Sequence, residues 1–261
     1  MNRAEPIPLD IRLMNALFVV LVAAFAVLVV VGCARLASRL SVFEIRGITV
    51  LGDTTHNNPP TLRANVAPRI AGTFFTVDLA RVRAAFEAAP WVRRAVVRRD
   101  FPNRLKVVLQ EHQPVALWSG ESDLRLVNSF GEVFEANVGE VEQDDLPVFS
   151  GPDGQSAEVL AMYRALEPLF APSELRMEQI ELSGRGSWSL KLDNGGALEL
   201  GRGTVDEVVA RTHRFMKTLT QVVTRYGRGA QSIESADLRH ENGYAIRLRG
   251  VSTMAADSKK K

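Results

Sequence analysis

The sequence predicts an α+β protein with a single N-terminal transmembrane helix, a compact β-α-α-β-β unit, and a larger mixed β region carrying two helices. Three observations predict it. A 22-residue run from Leu13 to Ala34 is almost wholly Leu, Val, Ala, Phe and Met, with Asn15 its only clearly polar side chain. Beyond it, short β-branched and alternating runs are punctuated by Gly, Pro and Asn. Between those runs stand stretches whose apolar residues recur at helical spacing.

The apolar run comes first. At about 1.5 Å per residue it makes a helix of roughly 33 Å, enough for a hydrocarbon core of about 30 Å. Arg12 and Arg35 bracket it. A secretory leader usually has a shorter apolar core, of about 7–15 residues. Val30-Val31-Gly32-Cys33 resembles a lipoprotein cleavage site, and lipidation of Cys33 would convert a spanning chain into an anchored one. The length of the run, and Arg35 and Arg39 directly after it, favour an uncleaved crossing. Cys33 is the lone cysteine, so an intramolecular disulfide is excluded. Arg3 and Arg12 precede the run while Arg35, Arg39 and Arg46 follow it. Long domains translocate largely regardless of such charges, which leaves the orientation open.

The next seventy residues read as β-α-α-β-β. Phe43 to Val50 is a strand closed by Leu51-Gly52-Asp53, and Asn57-Asn58-Pro59-Pro60 is a loop. A short helix around Leu62 to Ile70 is interrupted by Pro68. A second opens at Thr76 to Asp78, carries Leu79, Val82 and Phe86 on one face, and ends before Pro90. Val92 to Arg99 and Leu105 to Leu109 are strands joined through Asp100-Phe101-Pro102-Asn103.

Pro114 begins the larger region. Strands are expected at Val115–Trp118, Leu124–Asn128 and Glu132–Glu135, and Gly151-Pro152-Asp153-Gly154 breaks the chain. A helix follows with Val159, Tyr163, Leu166 and Phe170 on one face. A longer one spans Val205 to Tyr226, with a Thr204/Glu207 capping box and Gly227 as its C-cap glycine. Its stripe is Val205, Val208, Thr212, Phe215, Leu219, Val222 and Tyr226. In the hairpin around Asn194-Gly195-Gly196, a three-residue loop keeps both apolar sets on one face and pairs Leu192 with Leu198. By the same rule a Glu241-Asn242-Gly243 loop puts Leu238, His240, Tyr244, Ile246 and Leu248 together. The chain ends soon after, so this last strand is expected at a sheet edge, with unpaired backbone groups.

Catalytic and cofactor signatures do not emerge. The histidines His56, His112, His213 and His240 lack metal-ligand spacing, and no phosphate loop, nucleophile elbow or dinucleotide fingerprint occurs. Asp144-Asp145 and Asp100/Glu111 read as solvated loop charges, Gly201-Arg202-Gly203 as a strand-to-helix turn, and His213 as half-exposed packing. A net charge of +2 without a dense basic cluster argues against nucleic acid. No catalytic residue, cofactor, metal or small-molecule substrate is assigned.

The order of these elements resembles the FtsQ family of bitopic cell-division proteins of Gram-negative bacteria. The matching segments include Gly72-Thr73-Phe74-Phe75, Pro90-Trp91-Val92, Asp100-Phe101-Pro102 and Glu111-His112-Gln113-Pro114-Val115-Ala116-Leu117-Trp118. They continue with Gly151-Pro152-Asp153-Gly154, Gly186-Ser187-Trp188, Leu200-Gly201-Arg202-Gly203 and Asp237-Leu238-Arg239. The resemblance implies a cytoplasmic tail over residues 1–12, a crossing over 13–34, a POTRA domain over 41–112, an FtsQ-type β domain over 113–250, and a disordered tail over 251–261 that carries Lys259-Lys260-Lys261. It implies a single-pass protein of the inner membrane, its larger part periplasmic, at the division septum. It further implies a non-enzymatic scaffold that binds the FtsB–FtsL pair and other division proteins. FtsB would add a strand to the final hairpin. The positions implied for FtsB are Arg185, Arg239, His240, Asn242, Gly243, Tyr244 and Leu248, the arginines facing acidic partner residues. Val97 and Arg99 match positions implied for recruiting other division proteins. The competing expectation is an envelope transport or secretion adaptor built on the same POTRA unit.

Overall fold

A computed structural model of the chain describes residues 9–37, 41–120, 124–141, 146–240 and 243–251. The apolar run lies within one helix, α1, Leu9–Ala37. Its segment Asp10–Cys33 is long and apolar enough to cross a membrane. The chain divides into two compact units between Glu111 and His112.

In the first unit, β1 (Gly47–Gly52) is followed by α2 (Pro59–Val66) and a single 3-10 turn, Ala67–Arg69. Then come α3 (Leu79–Glu87), β2 (Val92–Asp100) and β3 (Arg104–Glu111). The sheet order is β1-β3-β2, with β1 parallel and β2 antiparallel to β3. The expected first strand begins later than its apolar pattern suggests. Ser41–Phe43 is a 3-10 turn, and Glu44 instead bridges to Thr73. α2 starts at Pro59, where the ring's fixed φ and missing N–H suit a helix's first turn. Asp78 caps α3 by accepting from the N–H groups of Ala80 and Arg81. Val82 and Phe86 of α3 meet Leu105, Val107 and Leu109 of β3 in the core.

Glu111 corrects the expectation of a solvated charge. It is 4% exposed, and its carboxylate accepts from the N–H groups of Thr55, His56 and Asn57 and from Asn57 Nδ2, at 2.7–3.0 Å. Four donors replace the water that such a charge would otherwise need. Its neighbour His56 stacks on Trp91 at 3.9 Å between ring centroids. Asp100, by contrast, is exposed as expected.

The second unit opens with β4 (Pro114–Ser119), β5 (Leu124–Asn128) and β6 (Val133–Phe134). It continues with β7 (Val148–Ser150), α4 (Ser156–Phe170), β8 (Met177–Leu182), β9 (Ser187–Leu192) and β10 (Ala197–Arg202). It closes with α5 (Val205–Arg225), β11 (Ile233–Asp237) and β12 (Ala245–Leu248). Among the described residues these strands form one mixed sheet, in the order β12-β11-β10-β9-β8-β7-β4-β5-β6. α4 contacts β7 and β8, α5 contacts β10, and the two helices touch each other, so both cover one face. That face buries Trp188, Leu190 and Leu192 of β9 and Leu198 and Leu200 of β10.

β7 and β8 have no counterpart in the sequence reading. β7 is too short to show alternation, and a register shift between Met177 and Gln179 breaks the alternation of β8. The first hairpin keeps its three-residue loop and its common face, but the ladder is displaced by two residues. Leu198 faces Leu190 rather than Leu192, and the loop is Asp193-Asn194-Gly195. Gly195 takes φ +76°, and Asn194 Oδ1 accepts from the Gly196 N–H, which fixes that turn.

α5 has the expected caps. Thr204 and Glu207 form the reciprocal box. At the other end Arg228 N–H donates to the Val223 carbonyl and Gly227 N–H to Thr224, around Gly227 at φ +64°. Its buried face is Val208, Thr212, Phe215, Leu219 and Val223. Val223 replaces Val222, and Tyr226 is 50% exposed, because the helix ends before its turn can reach the sheet. His213 is exposed, one step off that face, rather than half-buried. Asp144 and Asp145, Glu241 and Asn242, and residues 252–261 with the Lys tail lie outside the described residues.

Candidate partner-binding edge

β12 ends the larger sheet and pairs antiparallel with β11, Ala236 opposite Ile246. The second hairpin departs from expectation. β11 stops at Asp237, so Leu238, Arg239 and His240 run on beyond it. Leu238 N–H donates to the Glu199 carbonyl, continuing the parallel contact with β10. That bond holds Leu238 against β10, away from a tight return to β12.

The same bond fixes which backbone groups of β12 are available. In a parallel pair alternate residues bond to the same neighbour, so Ala236 and Leu238 turn their backbone groups to β10. Ser235 and Asp237 therefore turn theirs to β12, where their partners are Arg247 and Ala245. Ile246 is left with its N–H and C=O pointing away from the sheet. Past a register shift between Ile233 and Ser235, Leu248 is opposite Ile233, and Arg249 N–H closes the ladder on the Ser232 carbonyl. Among the described residues no strand pairs with that outward side.

Side chains around the edge divide between core and surface. Leu248 is 5% exposed and packs in the core, so its side chain is not presented to a partner. Tyr244 is half-buried, with its ring edge-on to Phe215 at 4.9 Å and its hydroxyl 2.8 Å from Thr218 Oγ1. His240 is exposed, contrary to its expected place on the apolar face. His240, Gly243 and Tyr244 line a recess of about 250 Å³ against α5, with Arg211, Phe215 and Thr218 on its far wall. Sequence reasoning did not single out that wall. Phe215 read there as part of the core stripe, and Arg211 and Thr218 had no reading. Arg211 in fact donates through Nη2 to the Arg202 carbonyl, and its buried Nε has no hydrogen-bond partner among the described residues.

Arg239 holds its fork within the chain. Nε and Nη2 reach the two carboxylate oxygens of Asp237 at 2.9 and 2.6 Å. This bidentate bond holds the Asp237 carboxyl down, from 3.8 to about 2, and raises Arg239 from its ordinary value. The stem of Arg239 lies over Gly201, where a Cβ would come within 2.8 Å of Arg239 Cγ. Arg185 is exposed in the turn between β8 and β9. Strand order and direction bring Arg185, Arg202 and Arg239 to one end of the sheet, beside the start of β12.

The two positions expected in the first unit are largely engaged. Val97 is half-buried against its core. Arg99 donates through Nε to the Phe74 carbonyl at 2.6 Å and through Nη2 to that of Val77 at 2.9 Å, tying β2 to the loop before α3.

Comparison with known proteins matches two family models. One is the FtsQ-type POTRA domain over residues 43–112, and the other the C-terminal domain of cell division protein FtsQ/DivIB over residues 116–239. Cell division protein FtsQ of Burkholderia pseudomallei (strain K96243) is 44% identical over 236 residues, covering 90% of this chain and 91% of that protein. Cell division protein FtsQ of Thiomonas arsenitoxydans is 40% identical over 252 residues, covering 94% and 90%. The protein of that name from Bordetella pertussis (strain Tohama I) is 36% identical over 244 residues, covering 87% of each. With the apolar helix, the β-α-α-β-β unit and the larger mixed sheet in the same order, the chain belongs to the FtsQ family of cell-division proteins.

Proposed function

We propose that this chain is a non-enzymatic scaffold of the division machinery, anchored in the inner membrane by α1 with its two units in the periplasm at the septum. It binds the FtsB–FtsL pair, and FtsB adds a strand to β12. The observation that carries this reading is the outward edge of β12, where Ile246 presents a donor and an acceptor that no strand pairs with among the described residues. Backbone bonds would supply the pairing, and the arginines at that end of the sheet would select acidic residues flanking the added strand. Arg239 still has donors beyond the two that Asp237 takes, so a partner carboxylate can share its guanidinium. Other division proteins would meet the first unit near β2, at Val97 and Arg99, where Arg99 also fixes the loop before α3.

The test is binding of a purified FtsB–FtsL periplasmic pair to the detergent-solubilised full chain. Hydrogen exchange should show new protection at Ile246. Saturable binding with protection there is the expected result. Binding that leaves the β12 amides unprotected would refute strand addition, and no binding would refute the choice of partner.

A further inference from the structure

We propose a second strand-docking groove, in the first unit, between the outer edge of β1 and α2, which takes an extended acidic segment of a partner polypeptide. The proposal is independent of the edge at β12, which belongs to the other unit. The groove has about 580 Å³ of open space and is lined by Arg46, Arg63 and Arg104 against a single acidic residue, Glu44. All three arginines are exposed, and none has a carboxylate partner among the described residues.

The backbone of β1 is open where the groove runs. Glu44 bridges to Thr73, and Phe74 N–H donates to the Phe43 carbonyl, so the Thr73–Phe74 segment covers the chain before β1. From Gly47 to Gly52 no described strand pairs with the outer side. Asp53 N–H donates to the Leu109 carbonyl, which sets the parity of this parallel pair. Leu51 and Thr49 bond inward to β3, while Ile48 and Val50 turn their N–H and C=O groups outward. A strand of four to five residues spans that length at about 3.3 Å per residue.

The walls specify the occupant. Ile48 and Ile70 are half-buried and form an apolar floor, which suits alternate apolar side chains of an added strand. The rim carries three positive charges against one negative, so the side chains on the other face should be acidic. A phospholipid headgroup would use the arginines but would leave the outward donors of Ile48 and Val50 unmatched. The polypeptide accounts for both features.

The experiment uses the detergent-solubilised full chain and a fluorescein-labelled peptide of alternating Val and Glu, followed by anisotropy. A Val/Lys peptide of the same length and vesicles containing phosphatidylglycerol serve as rival probes. The expected result is saturable binding of the Val/Glu peptide alone, weakened at least about tenfold by R46E/R63E, since each reversal replaces an attraction with a repulsion. Hydrogen exchange should show new protection at Ile48 and Val50, and FtsB–FtsL binding should be unchanged in the variant. Equal binding of both peptides, insensitivity to R46E/R63E, or protection confined to β12 would overturn the proposal. Vesicle binding that R46E/R63E abolishes, without peptide binding, would assign the groove to lipid and overturn it equally.

Discussion

Replacing Ile246 by proline separates strand addition from every other mode of contact. Proline removes one N–H and places its ring where that donor stood, so it is tolerated only where the N–H faces outward. At Ile246 the lost donor faces away from β11. The ladder of the protein itself stays intact, and an approaching strand loses its bond. A partner carbonyl is then left unsatisfied in a closing interface, which costs about 1–3 kcal/mol, or roughly 5- to 150-fold in affinity.

The side chain of Ile246 is half-buried against the core, so I246P also loses packing. I246A is the control that loses the packing and keeps the donor. Arg247 is the opposite control, because its N–H points to Ser235 and R247P breaks the hairpin itself. Affinity for the FtsB–FtsL pair is measured by titration calorimetry on the full chain, with thermal unfolding in parallel. I246P and I246A should melt within a few degrees of each other, with only I246P losing affinity, while R247P should melt lowest. Equal affinity of I246P and I246A would refute the pairing of a partner with β12.

Other perturbations follow from single contacts. Glu111→Ala leaves four donors without their acceptor in a site 4% exposed, and should destabilise the first unit by about 3–5 kcal/mol, read by thermal unfolding; a loss below about 1 kcal/mol would show that water replaces the carboxylate. Asp237 titrates at about 2 in the folded chain against 3.8 ordinarily, so its contribution is complete above the ordinary value and is lost as pH falls towards 2. Asp237→Asn should flatten stability against pH in that window alone, and an unchanged profile would mean the pair does not persist in solution. Arg239→Glu should weaken FtsB–FtsL binding measurably, and unaltered affinity would mean Asp237 keeps the whole fork. Gly201→Ala would bring a Cβ to 2.8 Å from Arg239 Cγ at φ +80°, so it should displace Arg239 and reproduce the binding loss while Arg239 itself is intact.

Periodicity and capping made most of the fold legible before any coordinates. The Thr204/Glu207 box and the Gly227 terminus of α5 rest on local chemistry and are found in place, as is its stripe from Val208 to Leu219. Its last turn departs, with Val223 buried in place of Val222 and Tyr226 exposed. The parity of the β9–β10 hairpin was readable because a one-residue slip would turn every side chain over. Its register was not, because a two-residue slip preserves the face, and only the Asn194 turn chooses between them. β8 was hidden by its bulge, and Glu111 by partners more than fifty positions away in the chain. At the candidate edge the strand's place at the sheet end was readable. The roles of Arg239 and Leu248 were not, since a carboxylate two residues away and a core contact decide them.

The two ends of the larger sheet differ in how well each would suit the proposed partner. An open edge invites indiscriminate pairing, and proteins limit it by shortness, charge and twist. At one end β6 has only Val133 and Phe134, too short to template a strand. At the other, β12 has four residues, so its outward side presents enough backbone to align a guest and too little to hold one unaided. Arg247, paired with Glu234 at 3.2 Å across the hairpin, puts charge on that short strand, and the register shift in β11 twists it away from flat stacking. A guest must therefore gain affinity from outside the ladder. On the proposed reading, the recess beside Tyr244 and the arginines at the sheet end would provide that addition. On this argument, lengthening β12 by two residues should raise self-association more than partner affinity. Sedimentation of that variant, compared with its FtsB–FtsL binding, measures the trade directly, and a gain confined to FtsB–FtsL would show that length and not the flanking side chains sets selectivity.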